Sequence, residues 1–156
     1  MAKRSARAIL IDRDGRLLLI KRTKPDQDPY WTTPGGGVEP DDISIEAALA
    51  RELQEELGAE TDAPKQVFLV SSPVDEHRVS VQHFFVCRLL ALHLARRSGP
   101  EFDDPSRGGY VLDRVGLTDG SLQDLDLKPA ALKDFILAND SALIDATGIA
   151  TAQAKA

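Results

Sequence analysis

Residues 34–59 read PGGGVEPDDISIEAALARELQEELGA, and the stretch from Ser44 to Leu57 decides the fold. It holds no Gly or Pro, is rich in strong helix formers, and is followed by Gly58 where a helix C-terminus favours glycine. Ser44 or Asp42 can cap its start, and Asp41, Asp42 and Glu46 suit the positive end of the helix dipole. A helix over Ser44–Leu57 is therefore predicted, entered from a loop whose glycines Gly35, Gly36 and Gly37 permit close backbone approach.

At about 100° per residue, Glu52, Glu55 and Glu56 fall within one sector of that helix. Leu49, Leu53 and Leu57 form a neighbouring apolar stripe that can dock on a sheet while the acids point along its rim. Three like charges at this spacing repel, and Glu55 and Glu56 also sit near the negative end of the dipole. A hard divalent cation such as Mg²⁺ or Mn²⁺, which prefers carboxylate oxygens, reverses that sign. Arg51, four residues before Glu55, is placed to hold that carboxylate by a charge-assisted hydrogen bond. A solvated acidic face is the plainer reading of these glutamates; the adjoining glycines and Glu39 favour a binding site, because a glycine-rich turn at a helix start offers backbone groups to phosphate or metal.

Working outward, Ser5–Ile11 and Arg16–Arg22 are apolar runs separated by Asp12-Arg13-Asp14-Gly15, the pattern of a β-hairpin. Thr23 to Thr33 reads as a polar loop. Downstream, Gln66–Ser72, Val79–Leu90 and Tyr110–Val115 read as strands, Pro100–Gly109 as a loop, and Pro129–Leu137 as a second amphipathic helix. Either Ser5–Ile11 or Val79–Leu90 can be a sheet edge, and so an interface for a homodimer. Residues 1–144 are expected to form one domain, with 145–156, built mostly of small residues, a flexible tail.

Composition bounds the partners. The chain has 156 residues, 42% hydrophobic and 28% charged, as in a soluble globular domain, and a net charge of −6 with no long basic run. Nucleic acid is thus an unexpected partner. No run approaches the roughly 20 apolar residues that span a bilayer, and none follows the N-terminus as a signal sequence does, so a cytoplasmic protein with no membrane partner is expected. The single cysteine, Cys87, reads as a buried free thiol. His77, His83 and His93 lack metal-ligand spacing, and Asp124 and Asp126 read as turn and cap residues.

Taken together, Pro34–Gly37 and Arg51–Ala59 resemble the Nudix box, whose pattern is G-x5-E-x7-R-E-U-x-E-E-x-G-U with U aliphatic. Arg51, Glu52, Leu53, Glu55, Glu56, Gly58 and Ala59 match its second half. The first half departs: counted from Gly36, Asp42 stands where the family has Glu, and eight residues instead of seven precede Arg51. Tyr30-Trp31-Thr32-Thr33-Pro34-Gly35-Gly36 is similar to the family's aromatic lead-in. The resemblance implies a Nudix-type α/β/α sandwich, with a mixed β-sheet between helices, and a metal-dependent pyrophosphohydrolase.

The substrates so implied are nucleoside diphosphates linked to a further group, for example nucleoside triphosphates. Glu52, Glu55 and Glu56 would be the metal ligands and catalytic acids, with Arg51 supporting them and the Gly35 carbonyl as a further ligand. Gly36 and Gly37 would face the substrate. Arg22 is placed to reach a phosphate and Trp31 to stack a nucleobase, against the plainer readings of a solvated strand end and of packing beneath the loop. Glu101 is a candidate general base from a later loop. The rival readings are a non-catalytic nucleotide or sugar-nucleotide sensor, disfavoured by the intact acids, and an ADP-ribose-type pyrophosphatase, suggested only by Pro73 lying 14 residues after Ala59.

Overall fold

The computed structural model describes residues 2–96 and 108–149. Its first hairpin joins β1 (Ala2–Ile11) to β2 (Arg16–Thr23). Buried Asp12 organises the turn: its Oδ1 accepts from the Asp14 and Arg16 amides, at 2.9 and 3.0 Å, and its Oδ2 accepts from Arg114 Nη1 at 2.7 Å. Two short strands follow, β3 (Tyr30–Thr32) and β4 (Gly35–Gly37), then helix α1 (Ile45–Leu57). Long strands β5 (Ala59–Pro73) and β6 (Val79–Leu92) lead to β7 (Gly109–Gly116) and β8 (Leu127–Lys128), and helices α2 (Ala130–Ala138) and α3 (Asp140–Ala146) end the described chain.

The strands form one mixed sheet in the order β5-β6-β1-β2-β3-β8, with β4 also on β1 and β7 on β2. β1 runs parallel to β6 from Ala2↔Val79 to Ile11↔Arg88, and β3 runs parallel to β8; the other pairs are antiparallel. Period-two alternation along β1 assigns its residues to two cores. Ala6, Ala8 and Leu10 face Ala48, Leu49, Leu53 and Leu57 of α1. Ile9 and Ile11 join Leu132, Ile136, Leu143 and Ile144 of α2 and α3 on the other face. The expected α/β/α sandwich results, and the alanines under α1 let it sit close to the sheet.

The structure corrects several details of the sequence reading. Neither β1 nor β6 is an edge, because β1 lies between β6 and β2, and β6 between β5 and β1; β5 and β8 end that order. The glycines form strand β4 on β1 instead of a free loop, and Tyr30–Thr32, read as loop, is strand β3. A third helix starts at Asp140, so the expected tail boundary at 145 falls inside α3, and Ile149 packs against the core. Residues 150–156 lie outside the described residues. Among the described residues no helix is long and apolar enough to cross a membrane.

Leu53 of α1 is 1% exposed beside Ala6 and Ala8 of the sheet core. Leu53→Ala should lower the unfolding free energy by roughly 2–5 kcal/mol, read from denaturant melts. A loss below about 1 kcal/mol would show that α1 does not dock as described.

Candidate active site

The site grows from the way α1 is capped. Ser44 Oγ accepts from the Ala47 amide at 3.0 Å, and Gly58, at φ 59°, donates its N–H to Gln54 O. Both caps are local devices that set the ends of α1, and docking of Leu49, Leu53 and Leu57 on the sheet turns the acidic sector toward β4.

Glycine is required in β4 at Gly35, and at Gly36 it leaves room for a carboxylate. Gly35 has φ 137°, and a methyl there would overlap the Ala6 carbonyl of β1. At Gly36 a methyl would overlap the Glu52 carboxylate, which lies against the bare backbone. The Gly35 amide donates to Glu56 Oε1 at 3.0 Å, and Glu56 is only 8% exposed. Such burial of a carboxylate is tolerable only with hydrogen-bond donors in place. Glu56 therefore points in toward the glycine strand instead of along the rim.

Arg51 ties the remaining acids together. Its Nε and Nη2 reach the two Asp42 oxygens at 3.0 and 2.9 Å, a bidentate fork, and Nη2 also donates to Gly37 O at 3.0 Å. Its Nη1 donates to Glu52 Oε1 at 2.9 Å and to Glu55 Oε2 at 3.3 Å. The contact with Glu55 was legible from i,i+4 spacing; the stronger one with Asp42 was not, because it spans the irregular start of the box. Asp42 also accepts from the Glu39 amide at 2.8 Å. The Arg51 guanidinium, chiefly, and that amide hold the Asp42 carboxyl below its ordinary value of 3.8, and the same contact with Asp42 holds Arg51 firmly protonated.

Among the described residues no three His, Cys, Asp or Glu side chains meet at cation-binding distance. Arg51 occupies Glu52 and Glu55, and the Gly35 amide occupies Glu56. The donor set nevertheless fits a hard divalent ion in kind, since it offers carboxylate oxygens and backbone carbonyls at one end of one helix. The Gly35 carbonyl accepts from Arg7 Nη1 at 3.3 Å.

Other expected residues have their described contacts elsewhere. The Arg22 guanidinium lies 3.7 Å from the Tyr110 ring centroid. Trp31 packs against the core shared with α2 and donates Nε1 to Asp113 Oδ2 at 2.9 Å. Glu101 lies outside the described residues. His83 is buried between Arg4 Nη1, at 2.8 Å from Nε2, and Gln66 Oε1, at 3.0 Å from Nδ1. Burial, then the Arg4 charge, lowers its pKa. Buried Cys87 has its thiol pushed up to about 12 by desolvation, an inert group.

The family model for the NUDIX domain matches residues 1–107, well over half of the 156 residues. The chain belongs to the Nudix family. A CTP pyrophosphohydrolase of Escherichia coli (strain K12) is 48% identical over 61 residues, 38% of this Nudix chain and 44% of that relative, so the match spans less than half of the relative's length. An RNA pyrophosphohydrolase of Erythrobacter litoralis (strain HTCC2594) is 26% identical over 120 residues, 65% of this chain and 73% of that one. The solution structure of the E. coli ORF135 protein superposes with a TM-score of 0.63 at 28% identity, covering 90% of this chain and 92% of the other.

The Asp42–Arg51 fork sets a pH dependence. Because the folded-state value of Asp42 is lowered, its stabilisation is fully present above the unfolded value of about 4 and is lost as pH falls through the folded value. Asp42→Asn should therefore lower thermal stability at neutral pH, where the fork is intact, and converge on wild type as pH falls below about 4, which gives the variant the flatter acid limb. Superimposable acid limbs for variant and wild type would exclude the fork as a stabilising element.

Proposed function

We propose that this chain is a divalent-metal-dependent pyrophosphohydrolase that cleaves the phosphoanhydride of a nucleoside diphosphate linked to a further group. The observation that carries the reading is that Glu52 lies against Gly36 and Glu56 accepts from the Gly35 amide, while Glu55 shares Arg51 Nη1 with Glu52. The pyrophosphohydrolase relatives support the same class of reaction, and Mg²⁺ or Mn²⁺ is the ion suited to an all-oxygen donor set.

In this reading Glu52, Glu55 and Glu56 would hold the ion, with the Gly35 carbonyl as a further ligand. A divalent ion, when bound, supplies charge neutralisation for the diphosphate and lowers the pKa of a coordinated water. The carboxylates of Glu52 and Glu55 that would face such an ion are those that Arg51 Nη1 contacts here. Arg51 stays anchored through its fork to Asp42 and its bond to Gly37 O. The guanidinium so held orients both glutamates, and the Gly35 amide does the same for Glu56. A carboxylate Oε of this set, or Glu101, takes the proton from the attacking water. Gly36 and Gly37 present backbone without side chains, leaving room for the diphosphate beside the acids.

The test is phosphate or pyrophosphate release from a panel of nucleotides with Mg²⁺ or Mn²⁺. Glu52→Gln and Glu56→Gln should each lower kcat/KM by at least ~100-fold, the scale of losing a strong transition-state contact, with unchanged circular dichroism. Near wild-type turnover in both variants would remove the site.

A further inference from the structure

On the sheet face opposite α1, two hollows of about 530 and 480 Å³ adjoin each other, and Arg7 and Gln82 line both. Their chemistry differs. The first is bounded by Tyr30, Lys128 and a carboxylate, Asp126. The second is bounded by Lys3, Arg4, Arg7 and Arg78, with no carboxylate among the described residues of its wall, in a chain whose net charge is −6. Arg78 is compensated by Asp75, at 2.7 Å, and Arg4 Nη1 is committed to His83. Arg7 sends Nη1 to the Thr33 and Gly35 carbonyls, at 3.3 Å each, and among the described residues its buried Nε has no hydrogen-bond partner. The unspent cationic capacity of the second hollow therefore centres on Lys3 and Arg7.

This hollow also adjoins the candidate active site. Gly37 lines it, and the Gly37 carbonyl is the one that holds Arg51 Nη2. A single backbone residue separates the cationic wall from the network of Glu52 and Glu55.

We propose that the hollow bounded by Lys3, Arg7, Gln82 and Gly37 is an anion subsite, which takes a phosphate of the substrate beyond the diphosphate held at the α1 carboxylates. The preferred class is then a nucleotide with a third phosphate, in place of one whose diphosphate ends in a neutral sugar. A cationic, concave wall concentrates such an anion and binds it by charge-assisted hydrogen bonds. The inference rests on the hydrolase reading for its place in catalysis, but not for the binding itself.

Two arms separate these. In EDTA at low ionic strength, calorimetry with inorganic tripolyphosphate should show salt-sensitive binding to the full chain, equally in the Glu52→Gln/Glu56→Gln double variant. Gln82→Glu and Lys3→Ser, which leave Arg7 and its structural contacts in place, should each weaken it about tenfold, the scale of one charge-assisted hydrogen bond. Absence of binding to the wild type, or wild-type affinity in both groove variants, overturns the subsite. In the second arm, with Mg²⁺, Gln82→Glu should raise KM for a nucleoside triphosphate about tenfold with little change in kcat, and leave KM for a nucleoside diphosphate hexose unchanged. Triphosphate cleavage indifferent to Gln82→Glu also overturns the subsite while sparing the hydrolase reading. Tripolyphosphate binding without cleavage of any nucleotide overturns the hydrolase reading alone.

Discussion

A single guanidinium joins the parts of the site. Arg51 reaches back to Asp42 in the segment before α1, sideways to Glu52 and Glu55 on its own helix, and across to the Gly37 carbonyl of β4. Without it, the acids would repel one another near the negative end of a helix dipole, and the segment from Glu39 to Asp42 would lose its tie to the helix. The cation thus holds in one place charges that electrostatics would otherwise spread. It does so from a part-buried position, with a fork geometry that a lysine cannot reproduce.

The sheet then divides the work between its two faces. Small residues on β1 admit α1 closely enough for Glu52 and Glu56 to lie on the glycine strand. The alternating residues of the same strand, including Arg7, face the hollows on the other side. One extended segment supplies the floor for the helix that carries the acids and a wall for whatever adjoins them. A one-residue slip of its register would exchange the two sets.

Legibility in the sequence followed the range of each interaction. Ser44 and Gly58 act on backbone within a few residues, so α1 was readable to its ends, and the hairpin turn was readable for the same reason. The three glutamates were readable as a cluster because helical spacing alone places them. β4 was not, since three glycines carry no side-chain pattern and become a strand only by pairing with β1. Nor was the part played by Asp42, whose partner lies across an irregular insertion. α3 was hidden by its polar start and its short apolar run, Leu143 and Ile144, which find a core only once the sheet exists.

The parallel pairing of β1 with β6 has a consequence for how the chain comes to be folded. β1 is made before Val79–Leu92, the strand that satisfies one of its sides, so the backbone hydrogen bonds on that side wait on distant sequence. A nascent chain on the ribosome must carry that row of unmatched amides and carbonyls until β6 has emerged. During this interval the segment is open to the wrong strand, and non-local closure of this kind slows assembly.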